Sequence, residues 1–215
     1  MFRNDEFTLI PNAVDAKRFY YDESVRNDVR MELEISSQTF VMGHVGRLSY
    51  PKNHRFLIDI FKELHAIKSD SILLIIGTGD MEEEIKSYAK ESNVNECIKF
   101  LGNRNDTERF YQAFDVFMLP SLFEGVPLVG VEAQFSDLPC FFSDKVPTEV
   151  VFSDKTKFLK LDQSAQEWAK EILKADIYNR NSDRSILTNA NYNILTAHKI
   201  LESKYFELYE SIKRG

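Results

Sequence analysis

Glu124 and Glu132 stand eight positions apart in the stretch LFEGVPLVGVEAQFSDLP, residues 122–139. Gly125 frees the backbone, and Pro127 suits the first turn of a helix, where its missing N–H costs nothing. The following run, LVGVEAQF, reads as that helix, and its N-terminus offers free N–H groups to an anion. Glu124 sits just before it, placed to accept hydrogen bonds from hydroxyls of the same ligand. Glu132 falls about five residues into the helix, roughly 7.5 Å along its axis. A carboxylate on an otherwise apolar helix is costly unless it is paired or binds something. The adjacent hydroxyls of a ribose are a natural bidentate partner for it. The alternatives are structural: Glu124 caps locally, and Glu132 pairs with a distant Lys or Arg.

A second loop carries cations. GHVGRLSYPKNH follows an apolar run, with Gly43 and Gly46 allowing tight backbone and Arg47 and Lys52 five apart. An Arg fork suits phosphate oxygens and a Lys adds a mobile point charge, so together they could neutralise a diphosphate without a metal. A solvated basic loop is the competing reading. The turn Gly77-Thr78-Gly79 resembles the start of a dinucleotide fingerprint, but Glu82 occupies the place of the third glycine. Asp80 is better read as a helix N-cap, with acids in the first turn behind it. His44, His54, His65 and His198 show no metal spacing, and no nucleophile elbow occurs. Cys97 and Cys140 read as free buried thiols.

These loops need elements to hold them. Apolar runs at 39–45, 71–77, 97–102, 115–120, 139–143 and 157–161 read as strands, several of them apolar throughout, as in a sheet buried on both faces. Helical patterns lie at 54–68, 81–92, 107–113, 128–137, 164–174, 182–190 and 197–213. That alternation predicts an α/β fold, a Rossmann-like doubly wound parallel sheet with helices on both faces. Ligands in such sheets bind outside the carboxyl ends of the strands, where both loops fall. With 215 residues, 43% hydrophobic, a sizeable core is available. A formal charge of −7 argues against nucleic acid, whose binding needs clustered cations. No apolar run approaches the ~18 residues of a membrane span, and no signal peptide is visible.

Six motifs in order then match a known family: IPNAVDAKRF (10–19), GRLSYPKN (46–53), LLIIGTGD (73–80), FLGNR (100–104), DVFMLPSLFEG (115–125) and VEAQFSDLPCFFSD (131–144). The chain resembles the C-terminal, donor-binding half of GT-B glycosyltransferases of the retaining family four, most like bacterial exopolysaccharide or capsule enzymes. The resemblance implies that Arg47 and Lys52 hold the donor diphosphate and Glu132 the ribose. It implies that Glu124 is the catalytic-site residue, binding the donor hexose. Backbone near Asn103 and Arg104 would meet the base, and the segment Gly125-Val126-Pro127-Leu128 would meet phosphate and sugar through its free backbone N–H groups. The expected donor is a UDP-sugar, with no cofactor and no metal. The expected acceptor is a lipid-linked saccharide, met in the cytoplasm or at the inner face of the membrane. Residues 1–20 would cross from an absent N-terminal acceptor domain, and 21–215 would form the sugar-nucleotide domain. The family pattern also places Gly where this chain has Ala13 and Asp137. A GT-B-fold sugar-nucleotide epimerase and a non-catalytic nucleotide-binding module are the alternative functions.

Overall fold

The computed structural model describes residues 12–180 and 192–213. Six parallel strands form one sheet in the order β3-β2-β1-β4-β5-β6. They are β1 (Phe40–Val45), β2 (Ser71–Ile76), β3 (Ile98–Phe100), β4 (Val116–Leu119), β5 (Cys140–Ser143) and β6 (Thr156–Leu159). All six expected strands are present, each within two residues of its expected ends. The helices are α1 (Glu23–Glu32), α2 (His54–Ile67), α3 (Glu82–Glu91), α4 (Thr107–Ala113), α5 (Leu128–Phe135), α6 (Ala165–Ile172) and α7 (Ile194–Lys213). The helix expected over 182–190 lies outside the described residues.

Helix α1 is the element the sequence pattern did not signal. ESVRNDVRME carries few apolar positions, and a charged residue, Arg30, is buried on its inner face beside Val29. Asp22 caps it, its carboxylate accepting from the backbone N–H groups of Ser24 and Val25.

β1, β4 and β5 are buried at every position, as their unbroken apolar runs require. Alternate side chains feed two cores, one on each face of the sheet. Val41, Val45, Leu74 and Ile76 pack on one side, toward Phe110, Tyr111 and Phe135. Met42, Leu73 and Ile75 pack on the other, toward Leu57, Phe61, Ile85 and Trp168. Backbone closeness fixes one glycine in this packing: a Cβ on Gly43 would lie 2.1 Å from the Phe114 ring.

The strand order reverses between β1 and β4. A crevice forms at such a switch point, outside the carboxyl ends of the two strands. The loops that leave those ends are residues 46–53 and 120–127, the two the sequence singles out.

Candidate functional site

The β1 loop is braced from both sides. On one side, Gly46 N–H donates to the Ile76 carbonyl (2.9 Å) and Leu48 N–H to the Thr78 carbonyl (3.0 Å). Gly77 has φ +134°, and a Cβ there would meet the Gly46 carbonyl oxygen at 2.0 Å. Gly77-Thr78-Gly79 is therefore a buttress for the β1 loop, consistent with its missing third glycine. On the other side, Asn53 adopts φ 55° and donates through its side-chain amide to the Pro120 carbonyl (3.1 Å). Leu122 N–H donates to the Pro51 carbonyl (2.7 Å). These two bonds lock the β1 loop to the β4 loop.

Lys52 and Glu124 meet across that junction. Lys52 Nζ donates to Glu124 Oε1 at 2.5 Å, with side chains 17% and 11% exposed. Ser121 Oγ donates to the same oxygen (2.7 Å) and its carbonyl accepts from Ser143 Oγ (2.5 Å). Glu124 thus does not cap α5; both of its hydrogen bonds fall on one carboxylate oxygen, Oε1. Pro127 sits at the N-cap of α5 rather than inside its first turn, with its carbonyl accepting from Gly130 N–H (2.9 Å). First-turn amides of any helix have no partner within it, so those at Leu128 and Val129 are available to an anion. Gly125 and Val126 are exposed in front of them, as is Phe123.

Arg47 is exposed, and its guanidinium lies 3.5 Å from Asp80. This corrects the capping role expected for Asp80: α3 is capped at Met81, and Asp80 pairs outward instead. The expected acids do fill the first turn, as Glu82, Glu83 and Glu84. Arg47 and Lys52 hence belong to one loop but hold different carboxylates in this state.

Beneath Lys52 lie two histidines. A carbonyl only accepts, so His44 Nδ1 carries the proton it shares with the Met118 carbonyl (2.9 Å). His54 packs edge-on against it, ring centroids 4.8 Å apart. Burial first, and then the Lys52 charge, push His54 down to about 4. Burial likewise pushes His44 well below the usual imidazole range, so both rings are neutral beside the Lys52 charge.

Among the described residues Glu132 forms no ion pair with a Lys or Arg, the structural alternative set against ribose binding. Its carboxylate accepts from the Tyr111 hydroxyl (2.8 Å), a partner on α4 that the sequence did not indicate. Burial raises its affinity for a proton, while Tyr111 and the charge of Arg18 oppose the rise. The folded protein therefore holds this proton more tightly than the unfolded chain does. Such a group costs stability as pH rises through its folded value, and costs most at neutral pH. Glu132→Gln keeps an acceptor for Tyr111 and removes the charge. Melting at pH 7 is expected to rise by about 1–4 °C, with the gain shrinking toward pH 4. A variant that melts lower at pH 7 would contradict this.

Arg104 forms a two-point bridge to Asp106 (2.9 Å each) and lies 4.7 Å over the Phe110 ring, while Asn103 is exposed. The Arg104 guanidinium is thereby held by its own loop, and backbone is what this segment presents. Cys97 is half-buried near His65 (3.6 Å) and Cys140 is fully buried; both are free thiols.

The model of the glycosyl transferases group 1 family matches residues 25–192, and the chain belongs to that family. It is 32% identical over 168 residues to the putative glycosyltransferase EpsF of Bacillus subtilis, covering 78% of this chain and 44% of that one. It is 34% identical over 142 residues to the UDP-Gal:alpha-D-GlcNAc-diphosphoundecaprenol alpha-1,3-galactosyltransferase of Escherichia coli, covering 65% and 37%. The crystal structure of Anabaena HepE in complex with UDP and glucose superposes with a TM-score of 0.76 at 21% identity, over 92% of this chain and 56% of that one. The chain thus spans about half or less of the length of these proteins, and its fold is that of the C-terminal half of a GT-B glycosyltransferase.

Proposed function

We propose that this chain is the donor-binding half of a retaining hexosyltransferase of exopolysaccharide or capsule synthesis, which takes its sugar from a UDP-sugar without a divalent metal. The observation that carries the reading is the Lys52–Glu124 contact at the switch point, beside the opening turn of α5. A diphosphate laid across that turn would be met by the α5 amides and by Arg47 and Lys52, whose charge-assisted bonds are strong. Lys52 would leave Glu124 for the phosphates. Glu124 would then be free to accept from a hexose hydroxyl, and Glu132 from the ribose. Backbone at Asn103 and Arg104 would border the base.

The family supports a sugar nucleotide as donor, and the HepE complex holds UDP and glucose on a similar fold. The printed name of the Escherichia coli relative specifies a diphosphoundecaprenol-linked acceptor. A lipid-linked saccharide is accordingly our proposal for the acceptor, reached from the cytoplasmic face by peripheral association. No helix among the described residues is long and apolar enough to cross a membrane.

Titration calorimetry with UDP and with UDP-glucose or UDP-galactose, in chelator and in magnesium, tests the donor half of this reading. Binding is expected in both buffers, weakening as salt screens the diphosphate contacts. Loss of binding in chelator overturns the metal-free claim, and absence of binding in both overturns the donor reading.

A further inference from the structure

Away from the crevice, three side chains with exchangeable protons converge at the amino ends of the strands. Ser71 opens β2, Cys97 closes the 3₁₀ turn Asn95–Cys97 that leads into β3, and His65 lies in the last turn of α2. The His65 Nε2 stands 3.6 Å from the Cys97 Sγ, and its Nδ1 stands 2.9 Å from the Ser71 Oγ. The ring also packs against Phe61, centroids 5.6 Å apart, so it is held on its face as well as at its edge. With the Ser71 Oγ accepting from Nδ1–H, the Nε2 lone pair faces the thiol and can take its proton. A nucleophile, a base and a group that orients the base thus stand in a row.

Access separates this thiol from the other one in the chain. Cys97 is half-buried on the turn before the edge strand of the sheet, and its neighbour Glu96 is exposed, so a reagent can reach the sulfur without unfolding. Cys140 lies in a central strand and is fully buried, its Sγ donating to the Leu138 carbonyl (3.3 Å). Burial pushes the Cys140 thiol well above its usual range. The thiolate is the form that attacks, so Cys140 is inert in the folded protein.

We propose that Cys97, served by His65 and Ser71, is a modification site that forms a mixed disulfide with a low-molecular-weight disulfide. The Sγ proton passes to His65 Nε2, and the thiolate attacks one sulfur of the reagent. The bond from Cys97 to that sulfur forms, the S–S bond of the reagent breaks, and the departing thiolate recovers the proton from the imidazolium and leaves as a thiol. Cys97 is oxidised and the released half of the reagent is reduced. A dithiol reductant reverses the change. The crevice lies at the opposite end of the strands and takes no part.

The test is the rate at which the folded chain reacts with dithiodipyridine, read from the absorbance of the released thiopyridone, and with oxidised glutathione, its adduct located by peptide mass spectrometry. One thiol, Cys97, is expected to react in the native protein, and Cys140 in denaturant. Cys97→Ser should abolish the native phase. His65→Gln removes the base and should slow that phase by about tenfold or more. Ser71→Ala frees the ring to turn and should slow it less. The direction of these effects separates chemistry from packing, because a variant that merely loosened this corner would expose the thiol and speed its reaction. In denaturant all variants that keep Cys97 should react alike. The same order of rates with oxidised glutathione completes the support. Native labelling that falls on Cys140, Cys97 labelling that needs denaturant, or native labelling that neither His65→Gln nor Ser71→Ala slows overturns the proposal. So does reaction with dithiodipyridine alone, because the site would then not accept an unactivated disulfide.

Discussion

Asp115→Ala is expected to lower the melting temperature by about 6–20 °C, the largest stability effect in the chain outside the core. The Asp115 carboxylate accepts from Arg26, from Arg30 (2.9 Å) and from the Val41 N–H (2.7 Å). The Asp115 and Arg30 side chains are each 4% exposed. Removing one partner of a buried pair leaves an uncompensated charge, which typically costs about 3–5 kcal/mol. Each kcal/mol moves a domain of this size by roughly 2–4 °C. Here two guanidiniums lose their counter-charge together. They also hold the end of α4, because Arg26 and Arg30 donate to the carbonyls of Gln112, Ala113 and Phe114. Strand β1, helix α1 and helix α4 are joined at this one carboxylate. Asp115→Asn keeps an oxygen for Val41 and should fall between wild type and Asp115→Ala. Thermal melts of the three proteins decide it, and an Asp115→Ala protein melting within 2 °C of wild type would sink the account.

Asp115 also marks the limit of what the sequence carries. Its place at the head of DVFMLP identifies a strand start, but nothing local names its partners, which lie 74 to 89 positions away. Helix α1 escaped for the same reason. Its inner face sets Arg30, buried by a tertiary ion pair, beside Val29 and Val25, so the apolar stripe that periodicity registers is narrow. By contrast, strands buried on both faces announce themselves as unbroken apolar runs, so the sheet and the crevice at its switch point were legible. Asp137 was legible in another way. It stands where the family pattern has Gly, and it adopts φ 55°, the left-handed backbone that glycine accepts freely. Its carboxylate bonds Lys155 (2.7 Å), which helps to hold it there. The Glu124 and Glu132 partners were harder. Lys52 was singled out as a phosphate ligand, not as the resting partner of Glu124. Tyr111 gave no signal, because an aromatic on the buried face of an amphipathic helix looks like core, and this side chain is buried in it.

The resting Lys52–Glu124 contact sharpens the separation of the two glutamates. On the proposed reading, Glu132 holds the ribose, which UDP and a UDP-sugar share. Glu132→Ala should therefore weaken both ligands about equally, by roughly ten- to a hundred-fold for a lost charged hydrogen bond. Glu124 would hold the hexose, which UDP lacks. It also competes with the diphosphate for Lys52, at 2.5 Å in the ligand-free state. Glu124→Ala should consequently leave UDP binding unchanged or tighten it, because Lys52 no longer has to be drawn off a carboxylate. The same variant should weaken the UDP-sugar relative to UDP by about tenfold or more, and lower turnover in a chain that carries the acceptor half. A structural role predicts otherwise: melting falls, and both ligands change together or not at all. Lys52→Ala completes the test, because it should weaken both ligands and erase any gain in UDP affinity from Glu124→Ala. Dissociation constants for these variants against the two ligands, with melting curves alongside, give the answer. Parallel losses for Glu124→Ala and Glu132→Ala on UDP would mean that Glu124 serves the diphosphate site rather than the sugar, and the exchange of Lys52 between carboxylate and phosphate would have to be abandoned.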